Sequence, residues 1–61
     1  MNEQTINRLK RALVDLRSAV NEFEGIPVQT LESPDYDRIL LLCADLKTTR
    51  DQIQSLINKN K

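Results

Sequence analysis

Few side chains in this sequence can do covalent or proton-transfer chemistry. It carries one thiol, nine carboxylates, nine cationic groups and no histidine. Without imidazole, the commonest general base near neutral pH is missing. Cys43 has no histidine to activate it and lies in the apolar run Ile39 to Ala44. A thiol in such surroundings, with no base beside it, has little reactivity, so Cys43 is read as a packing residue. Asp35 and Asp37 are two apart and fall on different faces of a helix start. They suit the positive end of a helix dipole rather than paired acid–base work. With a single glycine no phosphate-cradling loop can form, and no run of oxygen ligands resembles a calcium loop. No catalytic residue, cofactor or metal site is therefore expected, and the chain is read as a non-enzyme.

The cationic residues leave one binding chemistry open. Arg8 and Arg11 share a face of the first segment, and Lys47 and Arg50 stand in the second. Together they are the candidate contacts for RNA or DNA phosphates. Lys and Arg balance Asp and Glu at nine each, which argues against binding by bulk charge. Tyr36 alone would be a poor base-stacking platform.

These residues must be held by two helices. From about residue 2 to residue 24, Ile6, Leu9, Leu13, Leu16, Val20 and Phe23 recur at alternating steps of three and four. That is a heptad stripe, flanked on one side by the small residues Ala12 and Ala19. Gly25 and Pro27 stop the helix, the glycine by offering the left-handed conformation. A connection over 25–33 follows. Its apolar residues Ile26, Val28 and Leu31 are expected to fold over the end of the helix pair. Ser33-Pro34 then reads as an N-cap and first-turn proline, opening a helix from 34 to about 58. Its stripe is Ile39, Leu42, Leu46, Thr49, Ile53 and Leu56. The Thr49 hydroxyl is expected to bond the carbonyl one turn back.

The fold class is thus all-α: a two-helix antiparallel hairpin in a single domain, residues 1–61. With Phe23 meeting Ile39 near the turn, Val20 would face Leu42 and Ile6 would face Leu56. At 61 residues a lone core is marginal. One cysteine and no histidine exclude an intramolecular disulfide and a structural zinc site, which leaves association as the staple. The second helix also carries apolar residues outside its stripe. Leu40, Leu41, Cys43 and Ile57, with Ala12 and Ala19, are therefore the expected interface for self-association or a protein partner. A dimer forming a four-helix bundle is favoured.

Charge supports this arrangement. Glu22, Glu24, Glu32, Asp35 and Asp37 gather at the turn, against Arg38. Arg8, Lys10, Arg11, Arg50, Lys59 and Lys61 gather at the other end, against Glu3 and Asp51. Two copies lying antiparallel would set acid against base. No apolar run approaches the ~18 residues of a membrane span, and no signal peptide is visible. A lone buried thiol suits a reducing compartment, so a cytoplasmic protein is expected. The leading expectation is a small homo-oligomerising regulator, adaptor or inhibitor. The alternatives are a nucleic-acid-binding hairpin dimer and an oligomer that sequesters a small ligand between protomers. The plan resembles small bacterial helical-hairpin regulators in architecture alone, and no shared motif carries a functional residue over.

Overall fold

The computed structural model describes residues 1–60, so Lys61, assigned above to the basic end, lies outside the described residues. Two helices, α1 (Glu3–Glu24) and α2 (Ser33–Lys59), pack against each other, with a single 3-10 turn (Val28–Thr30) between them. The hairpin and both helix boundaries agree with the heptad reading to within one or two residues.

The caps differ in detail. Asn2 precedes α1 and accepts a 2.8 Å hydrogen bond from the Thr5 amide through Oδ1, which meets one of the unpaired donors of the first turn. Gly25 ends α1 at φ −80°, ψ −7°, in the right-handed region, so the left-handed cap expected there is not used. The stop comes instead from Pro27, whose φ −75°, ψ 77° makes an inverse γ-turn with Val28 N–H donating to the Ile26 carbonyl at 2.8 Å. At the start of α2 the cap position falls on Glu32, one residue earlier than expected, with Ser33 and Pro34 inside the first turn.

The stripe of α1 behaves as its spacing requires. Leu13 and Val20 are buried, and Ile6, Leu9, Leu16 and Phe23 are half-buried. On α2 the buried or half-buried positions are Ile39, Cys43, Leu46, Arg50, Ile53 and Ile57, with Lys47 and Gln54 half-buried beside them. This is again a heptad, sharing Ile39, Leu46 and Ile53 with the expected stripe. Cys43, Arg50 and Ile57 replace Leu42, Thr49 and Leu56, so the helix is turned by about 50°, half of one residue's angle, from the expected seam. Two long side chains show why this setting suits the pair. Lys47 Nζ meets Glu24 Oε1 at 3.1 Å, and Arg17 Nη2 donates to Gln54 Oε1 at 2.9 Å. Both flank the Cys43–Arg50–Ile57 side, where the stem of Arg50 can lie on the seam while its guanidinium reaches Asp51 at 3.0 Å.

The same two contacts fix the register. Glu24 lies beside Lys47 and Arg17 beside Gln54, where the expected register set Phe23 against Ile39. The helices are slid by about two turns. As a result nearly the first four turns of α2 run past the end of α1, and the connection must climb back along them. Fourteen residues of helix are about 21 Å, within the reach of eight residues at about 3.3 Å each. The connection therefore lies along α2. Its 3-10 turn packs against that helix, and Ile26, Val28 and Leu31 are half-buried. The shape is a rod of 46 × 15 × 11 Å. Its radius of gyration is 14.4 Å, against about 10.5 Å for a compact chain of this length.

Candidate interaction surface

Three leucines at the exposed end of α2 define the main surface feature. Leu40, Leu41 and Leu42 are consecutive, so each points about 100° from the last. All three are exposed, Leu41 to 56% and Leu42 to 42%. A helix apolar on several sides needs cover on several sides. Here α1 ends before reaching this stretch; the 3-10 turn of the connection packs against α2, where Ile39 and Cys43 are half-buried.

Lower down the rod, the two long edges of the hairpin differ in chemistry. One edge carries Arg17, Asn21, Arg50, Asp51 and Gln54 around a shallow polar cleft, with Glu24 and Lys47 beyond it. The opposite flanks of the two helices must share the other edge. From α1 it receives Ala12, Leu16, Ala19 and Phe23, and from α2 Leu42, Thr49 and Leu56. Leu16, Ala19 and Phe23 are half-buried; Ala12, Leu42, Thr49 and Leu56 are exposed, Leu56 to 38%. Thr49 fits this apolar setting because its hydroxyl donates to the Asp45 carbonyl at 3.1 Å, leaving the methyl group outward. The bond back by one turn is the one its position in the stripe suggested.

The six expected interface residues separate into three groups. Leu40 and Leu41 are exposed on the overhanging end, and Ala12 with the half-buried Ala19 lines the apolar edge. Cys43 is a free, half-buried cysteine on α2. Ile57 is a correction: only 3% exposed, it belongs to the hairpin's own seam and has no surface to offer a partner. The two residues that reasoning from sequence placed in the core, Leu42 and Leu56, are exposed in its stead. Each is next in sequence to its replacement, and apolar periodicity alone could not rank the two settings. The polar neighbours Lys47 and Gln54, at the right spacing to meet Glu24 and Arg17, were the available signal.

The four candidate phosphate contacts do not form one patch. Arg8 and Arg11 lie together near the N-terminus of α1, around a shallow depression with Glu3 and Asn7. Lys47 is paired with Glu24 and Arg50 with Asp51, about ten residues of helix away. Among the described residues no three His, Cys, Asp or Glu side chains converge on a point that could hold a metal ion. No helix among them is long and apolar enough to cross a membrane. No protein-family model, no curated protein and no solved structure matches the chain.

Proposed function

We propose that this chain is a non-catalytic interaction module that works by associating with a second copy of itself along its apolar edge. The observation that carries the proposal is the exposure of Leu42 and Leu56 on that edge of a molecule with very little interior. Among the described residues only Leu13, Val20 and Ile57 are buried apolar residues, and none of these residues has a side chain less than 2% exposed. Burying a leucine is worth about 1.5–3 kcal/mol. Leaving several in water forfeits a large part of the roughly 5–15 kcal/mol that holds a small domain together.

Surface area supports the same reading. The chain exposes 4834 Å², whereas a compact monomer of its 7.0 kDa would expose about 4,000 Å². The excess is close to the ~800 Å² that each partner covers in a stable protein interface. Sedimentation equilibrium at tens of micromolar tests the proposal. Twice the mass of one chain is expected; a helical species of single-chain mass would refute it.

A further inference from the structure

Building on the self-association reading, we infer that the partner copy lies antiparallel, α2 against α2, with the two-fold axis passing at Thr49. Leu42, Thr49 and Leu56 are seven residues apart and symmetric about Thr49, on one exposed flank of one helix. An antiparallel contact centred there is self-complementary, as a closed two-fold pair requires. It sets Leu42 on the partner's Leu56, Thr49 on the partner's Thr49 and Leu56 on the partner's Leu42. The central layer is two threonine methyl groups, since each hydroxyl is already bonded to its own Asp45 carbonyl. Asp45 falls opposite the partner's Gln52, whose amide can donate to the carboxylate.

Charge selects the antiparallel direction. Residues 20–47 form the end of the rod around the connection and carry six acidic and two basic side chains. The remaining described residues carry three acidic and six basic ones. Antiparallel copies lay each acidic end over the partner's basic end, whereas parallel copies would stack like on like. One pair opposes the trend: Arg38 falls opposite the partner's Lys59, with Asp35 and Asp37 near Arg38 in sequence. The geometry also covers the part of α2 that α1 does not reach, because the partner's Leu56 is carried to Leu42. Ala12 and Ala19 on the same edge leave room for close approach.

Single-cysteine variants in a Cys43→Ser background test the arrangement. Thr49→Cys lies on the axis and should oxidise alone to a covalent pair. Leu42→Cys alone should not, because the two copies of that position are about 21 Å apart along the helices, beyond disulfide reach. Mixed with Leu56→Cys, it should cross-link. Self-linking of Leu42→Cys as efficient as that of Thr49→Cys would overturn the antiparallel direction. A sedimenting pair in which none of these links forms would overturn this surface but leave self-association standing; single-chain mass would remove both. In case a variant folds poorly, isotope-filtered NMR on the unaltered chain gives a second reading. Intermolecular contacts between Leu42 and Leu56 methyl groups are expected, and contacts between the two copies of Leu42 would contradict the inference.

Discussion

Leu56 and Ile57 are neighbours in sequence with opposite surroundings, and substituting each separates folding from association. Ile57→Ala opens a void in the hairpin seam and should cost about 2–5 kcal/mol. For so small a chain that is enough to abolish a cooperative thermal transition in circular dichroism at any concentration. Leu56→Ala should leave the transition of the dilute chain nearly unchanged and remove its dependence on concentration. Gly25 offers a second residue-scale test. Its φ is negative, and an added Cβ would meet only the Asn21 and Glu22 carbonyl oxygens at 3.5 Å, an ordinary contact. Gly25→Ala should therefore stabilise by about 0.4–1 kcal/mol through the unfolded chain, read as a raised urea midpoint. The position of this helix stop was legible in the sequence; its mechanism was not, because glycine and the proline two residues on predict the same boundary.

At the scale of the elements, what could be read depended on how one-sided each helix is. In α1 every seam position is apolar and only Val14 lies clearly off the stripe, so one orientation satisfies it. In α2, leucines point three ways near the start, and both Leu42-Thr49-Leu56 and Cys43-Arg50-Ile57 complete a heptad with Ile39, Leu46 and Ile53. Periodicity identified the helix but left its rotation open. The sliding of the helices was hidden for a related reason: a connection of eight residues can either turn sharply or run back along a helix. The observed register is open to direct measurement. Spin labels at Asn21→Cys and Asp51→Cys, with Cys43→Ser, should report a short separation. Labels at residues 21 and 41 should lie farther apart by an amount approaching the 15 Å of ten helical residues. The opposite order would restore the register in which Phe23 meets Ile39.

For the molecule as a whole, ion pairing and apolar contact should be separable with salt. The Glu24–Lys47 pair is about half exposed on both sides, so within one hairpin it contributes no more than about 1 kcal/mol. Between two rods the opposed ends act together, and added sodium chloride screens them over about 10 Å at 0.1 M and 3 Å at 1 M. The association constant should accordingly fall several-fold from low to high salt while helicity stays constant. A constant that rises steadily with salt would mean that charge plays no part in orienting the pair.

The unequal sharing of charge between the two ends of a 46 Å rod has an electrical consequence. A single chain of this kind is a permanent dipole along its length and will turn to follow an applied field. In a pair related by a perpendicular two-fold axis, the lengthwise dipoles oppose and cancel. Transient electric birefringence should therefore show strong permanent-dipole orientation at high dilution, fading as concentration rises even though the particles grow heavier.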